Sequence, residues 1–562
     1  MTTILFRGRV RTGAGAGSVS GSDLEPGSEP GPGMGTGAGV GLGAGFEVGD
    51  TYALAVRDGR IVALGAEALA SDADEVVELG AGLLLPAFGD GHAHPLFGGL
   101  EHFGPQLKGL ASVTEIAAEV GRWAAEHPDE EWIVGASYDP TLVSGGEFDA
   151  RWLDAAVADR PVVLRAYDYH TVWCNTEALR RAGVTDTTPE PRLGWIVRRP
   201  DGSAMGTLRE WHACDLVLDR VPGRPVDELV DALRVAGEVY ASAGLTWVQD
   251  AWVEPEMVSA YVEASRRGAL SFRANLAFRA DPDRWHGQRF EFVAARRRVE
   301  AEGGPLLSAR TVKFFADGVI EGGTAAMLEP YCDAPHSCGM PVWPPAALAE
   351  AVAAFDADGF QVHIHAIGDA GVRAALDAIE AAVAANPAWD RRPVIAHVQL
   401  VHPADLPRFA ALGVIANFEP LWAQLDPLQT ELTVPRVGAE RGDLQYPMRG
   451  VLDSGAPLSF GSDWPVSSHQ PLAGIQIAVT RRTFEGTPAE GWTPGERLTV
   501  DQALDAYTGG VAYQAFADDR RVLAVGAPAD LVWLSADPRT ADPMTLRDIT
   551  VKGTWLAGER TY

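Results

Sequence analysis

The sequence predicts an α/β protein: a (β/α)8 TIM-like barrel with a large insertion after its first strand, joined to a small β-sandwich domain built from both chain ends. Three observations lead there. Short apolar strands alternate with amphipathic helices through the middle of the chain, the texture of parallel β/α architecture. Histidines, a lysine and an aspartate recur at the ends of those strands. Both termini carry short β-rich runs broken by Gly and Pro. At 562 residues the chain exceeds one ordinary hydrophobic core, unless that core is a large barrel with insertions.

The N-terminal part of the small β domain is expected over 1–86. TILFRGRV and YALAVRDGRIVALG both read as strands, the second a hairpin turning at Arg57-Asp58-Gly59. Between them, 12–46 is a Gly-rich, low-complexity stretch with few side chains able to build a core, and is expected to behave as a flexible loop. ADLVWLSADP and ITVKGTWLAGERTY supply the C-terminal part of the same domain, over 516–562.

The barrel is expected over 87–515, with about 104–245 inserted and covering the site. RPVVLRAYD, FQVHIHAIG and PVIAHVQL are strand-like, and each is followed by an amphipathic helix pattern. No GxGxxG or GxxxxGK[ST] opens any helix, so nucleotide binding has no support.

GDGHAHP, residues 89–95, follows the apolar run LLLPAF. Successive strand side chains point to opposite faces, so His92 and His94 face one way and can chelate one cation. TVKFFADG presents Lys313 in an apolar strand, VHIHAIGD presents His363 and His365 on one face, VIAHVQL carries His397, and LSFGSDWP ends a strand at Asp463. Each has a plainer explanation: a snorkelling lysine, a hydrogen-bonded core histidine, a helix-capping aspartate. Together, imidazoles and a carboxylate at successive strand ends are what a hydrolytic Zn²⁺ site requires. A β/α unit takes roughly 30 residues. On that scale His365 and His397 stand about one unit apart, and His397 and Asp463 about two. The residues then fall on strands 1, 4, 5, 6 and 8, with the large insertion after strand 1.

These motifs resemble the amidohydrolase superfamily. VKFFADG, HAIGDAGV, AHVQL, GSDWPV and, in the insertion, DYHTVWCNTEAL are similar to the YtcJ-like branch, which includes N-substituted formamide deformylases. The resemblance covers nearly the whole chain outside the Gly-rich stretch. It implies that His92, His94, His365 and His397 hold one or two divalent ions, that Lys313 is carboxylated and bridges if there are two, and that Asp463 is both ligand and general base. His363 and His365 share a face, and the resemblance favours His365 as ligand. It also implies that His170, Trp173 and Asn175 cover the site. NFEPLWA departs from the family pattern, with Glu419 where glutamine is expected. Glu419 and Trp422 are pocket candidates, and Trp211, Trp252 and Trp464 are further aromatic ones.

The expected function is hydrolysis of an amide-like C–N bond, N-formyl or N-acyl, by metal-activated water. The alternatives are an ester or lactone hydrolase on the same site and a non-catalytic metal-bound small-molecule binding protein. A net charge of −30 argues against nucleic acid or an anionic membrane as partner. The four cysteines do not make a disulfide framework, and no run of about 20 apolar residues occurs. The expectation is a cytoplasmic protein acting on a small molecule, with homodimerisation left open.

Overall fold

A computed structural model describes residues 2–13 and 49–562. The Gly-rich stretch expected over 12–46 lies, from position 14 on, outside the described residues.

The two chain ends meet in one seven-stranded sheet. Thr3–Arg11 runs parallel to Glu75–Pro86 and antiparallel to Asp50–Arg57. Leu531–Leu534 then pairs antiparallel with Glu75–Pro86 on one side and with Val551–Leu556 on the other. The hairpin between Asp50–Arg57 and Arg60–Leu64 turns at Asp58 and Gly59, both with positive φ (52° and 74°), the geometry that Asp-Gly tolerates. Thr12 Oγ1 donates to Gly49 O at 2.6 Å, so the chain returns to this sheet next to where it left.

The barrel strands, in chain order, are Phe88–Ala93, Leu245–Val253, Arg273–Arg279, Leu307–Phe315, Gln361–Ala366, Val394–His397, Ile415–Phe418 and Leu458–Phe460. All are parallel, each paired with its neighbour in sequence. The last and first are joined just beyond their ends: Asp463 N donates to His92 O and His94 N to Trp464 O, both at 2.7 Å. Phe88–Ala93 and Gln361–Ala366 are buried at every position although they carry Asp90, His92, His363 and His365.

The insertion between the first and second strands folds around its own five-stranded sheet, which includes Val162–Ala166, Thr171–Cys174 and Ala204–Arg209. The strand-and-helix texture of RPVVLRAYD and NTEALRRAG therefore belongs to this sheet rather than to the barrel. Among the described residues no helix is long and apolar enough to cross a membrane.

Candidate metal centre and active site

His92 is on the first barrel strand and His94 one residue past its end, where the backbone turns into the helix Pro95–Glu101. Asp463 follows the eighth strand with φ 54°. The seam bonds bring the three together: His94 Nε2 lies 3.0 Å and His92 Nε2 3.6 Å from Asp463 Oδ1. One ligand atom from each lies within 4.8 Å of the others.

Lys313, His365 and His397 stand beside this trio. Lys313 Nζ is 3.2 Å from His92 Nε2 and fully buried. It does not pair with Asp317, whose carboxylate instead accepts the N–H groups of Ala326, Ile367 and Gly368. The His397 ring is centred 4.6 Å from His92 and 4.5 Å from His365. His397 Nδ1 lies 2.9 Å from Glu419 Oε2, and its ring stacks on Trp422 at 5.4 Å and 3°. The two histidines of VHIHAIGD separate by depth: His365 lines the cavity, whereas His363 Nε2 meets His92 Nδ1 at 2.8 Å behind it.

Burial sets the electrostatics. It depresses Lys313 to about 7 against the pull of Asp463 and Glu419, so neutral amine is present at ordinary pH. Burial, reinforced by neighbouring Lys313 and imidazoles, holds His92, His363 and His365 well below the usual range and takes His397 to about 3. Glu419 is driven well above the carboxylate range, first by burial and then by Asp463. Asp463 Oδ1 and Glu419 Oε1 are buried without a hydrogen-bond partner. Neutral imidazoles converging on unpartnered carboxylate oxygens fit a divalent cation, which supplies the charge those oxygens lack.

The centre opens into a cavity of about 680 Å³ whose lining includes Phe97, His170, Trp211, Trp252, Phe315 and Trp422. Trp464 packs elsewhere, edge-on to Tyr240. Three expected pocket residues do not line the cavity: Glu419 stands behind His397, and Trp173 and Asn175 belong to the insertion. Trp173 points into the insertion's own core, against Tyr138 and Phe148, with Nε1 donating to Asp149 O at 3.1 Å. Asn175 caps the helix Thr176–Ala182, accepting from Ala178 N and donating to the carbonyls of Val157 and Arg160. Strand alternation turns Trp173 into the insertion's core, and Asn175 lies past the strand, committed to the helix cap.

Sequence reasoning missed three buried carboxylates. Asp90, two residues before His92, accepts the Ser462 N–H at 2.9 Å and the His92 N–H at 3.2 Å. Asp250 on the second strand accepts from Tyr261 Oη, and its Oδ1 lies 3.9 Å from His94 Nδ1. Both had a visible signal, an acid at a barrel strand end in GDGH and VQDAW. Glu210 lies 2.9 Å from His170 Nδ1. Burial works against charge on His170, but Glu210 outweighs it and pushes the imidazole up to about 9.

Comparison with known proteins gives the family and the fold. Residues 75–562 match the model of the amidohydrolase family Amidohydro_3. This chain belongs to the amidohydrolase family. It is 31% identical to Protein LONG AFTER FAR-RED 3 of Arabidopsis thaliana (91% of this chain, 88% of that one). It is 28% identical to the putative amidohydrolase YtcJ of Bacillus subtilis (92% and 97%) and 26% identical to the N-substituted formamide deformylase of Arthrobacter pascens (91% and 94%). Among solved structures, an uncharacterized metal-dependent hydrolase from Pyrococcus furiosus shares the fold, with a TM-score of 0.69 at 24% identity over 96% of this chain and 100% of that one.

Proposed function

We propose that this amidohydrolase cleaves a C–N bond of a small amide-like substrate, N-formyl or N-acyl, with one or two divalent ions and Asp463 as general base. The observation that carries the reading is the convergence of His92, His94 and Asp463 Oδ1, a buried oxygen that accepts no hydrogen bond, beside a cavity with aromatic walls. His365 and His397 would complete the ligand set, and zinc suits its imidazole and carboxylate donors. Lys313, if its neutral amine takes up CO₂, becomes an anion with two oxygens able to bridge two ions.

When bound, a divalent cation supplies Lewis-acid polarisation of the substrate carbonyl and acidifies water. Asp463 accepts the proton of the attacking water and returns it to the departing nitrogen, so that amine and carboxylate leave. Trp211, Trp252, Phe315 and Trp422 line the cavity and offer apolar surface to the substrate. The relatives named for amidohydrolase and deformylase activity support a C–N bond as the target. The test is metal analysis of purified protein combined with a hydrolysis screen over N-formyl, N-acyl and cyclic amides. Bound divalent metal with turnover of at least one class is expected. Absent metal, or metal with no turnover of any amide, overturns the reading.

A further inference from the structure

Glu210 has no part in the mechanism above, yet it is built into the site with care. It precedes the helix Trp211–Leu218 with φ 63° and ψ 170°, a backbone region costly for a side chain bearing a Cβ. Only 2% of it is exposed. Its Oε1 accepts the Thr324 hydroxyl at 2.6 Å, its Oε2 lies 2.9 Å from His170 Nδ1, and its own N–H donates to His170 O at 2.7 Å. Gly318, after the fourth barrel strand, leaves the room this requires, since a Cβ there would collide with Thr324 Oγ1 and Glu210 Oε1. Insertion and barrel thus close a socket around one carboxylate.

The consequence falls on His170. A buried carboxylate needs a counter-charge, and among the described residues His170 is the one basic group paired with Glu210. With Nδ1 committed to Glu210, the ring still has Nε2, which has no hydrogen-bond partner among the described residues. That ring lines the cavity, its centre 5.7 Å from His365 and 4.5 Å from Trp211. An N–H facing the cavity is a ready donor to an oxygen of the molecule that occupies it.

We propose that Glu210 is a positioning residue that holds His170 with its Nε2–H toward the cavity, as the donor to an acyl or carboxylate oxygen of the bound molecule. The inference rests on the hydrolase reading for the identity of that oxygen, and the donor itself does not depend on turnover.

Benzoate, an aromatic carboxylate, is the probe, titrated by calorimetry into the metal-loaded protein. Wild type is expected to bind it. Glu210→Gln and His170→Ala are each expected to weaken binding roughly tenfold, the scale of one charge-assisted hydrogen bond. The double variant should be no weaker than either single one, because both changes remove the same contact. His170→Gln, which keeps an N–H donor, should recover part of the loss. A Glu210 that merely braces the fold would give additive effects and no such recovery. Where Glu210→Gln fails to fold, as judged by its melting curve, the comparison of His170→Ala with His170→Gln decides. Equal benzoate binding across the variants, additive losses, or no binding by wild type overturns the proposal. The same preparations are assayed on the amide panel. Benzoate binding that follows the expected pattern without amide turnover overturns the hydrolase reading alone, and turnover with unaltered benzoate binding overturns this assignment alone.

Discussion

Glu419 Oε2 lies 2.9 Å from His397 Nδ1, and both side chains are fully or almost fully buried. The carboxylate fixes the imidazole's tautomer and directs Nε2 away from Glu419, the arrangement by which carboxylates orient metal-binding histidines. Glutamine was the expected residue here. Burial and Asp463 drive the Glu419 carboxyl well above the usual range, yet it can ionise beside a bound cation, whereas an amide accepts one hydrogen bond and never carries charge. Glu419→Gln should therefore fold normally and hold metal roughly 10–100-fold more weakly, measured by competition with a chelator. Unchanged metal affinity would show that the glutamate adds nothing beyond the bond.

Asp463→Asn keeps the shape of the side chain and removes its capacity to take a proton. Turnover should fall roughly 10²–10⁴-fold, read as kcat on whichever amide the screen identifies. A variant retaining the wild-type rate would shift the search for the base to Glu419.

Lys313 decides between one ion and two. Its depressed pKa of about 7 leaves neutral amine available for CO₂, and the resulting carbamate could bridge two cations about 3.5–4 Å apart. Lys313→Ala should lose metal and activity together, and added acetate should restore part of both. Full activity with one ion per chain after exhaustive CO₂ removal would establish the plain amine instead.

A pH effect on stability is expected in the insertion. Burial opposes the charge of Asp149, but Arg151 and Arg199 outweigh it and hold the carboxyl well below the usual range. A folded-state pKa below the unfolded value of about 3.9 contributes stability that is present above that value and lost as pH falls beneath it. Asp149→Asn should thus cost about 1–3 kcal/mol at pH 7 and progressively less as the pH drops below about 4. Parallel melting curves for the two proteins across that range check it, and a constant gap would refute the ion-pair account.

The barrel and its strand-end residues were legible because strand alternation and the length of a β/α unit together fix which face and which strand each side chain occupies. His92, Lys313, His365, His397 and Asp463 all satisfy that rule, and the structure gathers them. The insertion obeys no such spacing. Trp173 and Asn175 sit three and five residues past His170, and nothing in DYHTVWCN tells which side of the strand faces the cavity. Glu210 was invisible for another reason: its partner is 40 residues away, with three strands of the insertion's sheet between them in the chain. His363 and His365 looked equivalent by alternation, and only depth along the strand separates them.

The bonds that close the barrel are also the bonds that assemble the metal centre. Asp90 takes the Ser462 N–H, Asp463 N reaches His92 O, and His94 N reaches Trp464 O, so the zipper between first and last strands runs through the three residues that could hold a metal ion. Breathing of that zipper would pull His92 and His94 away from Asp463. A cation held between them would act as a clasp on the barrel, and its departure would loosen this joint. The slowest-exchanging amides of a loaded barrel would then include those of His94 and Asp463, making two backbone protons a gauge of metal occupancy.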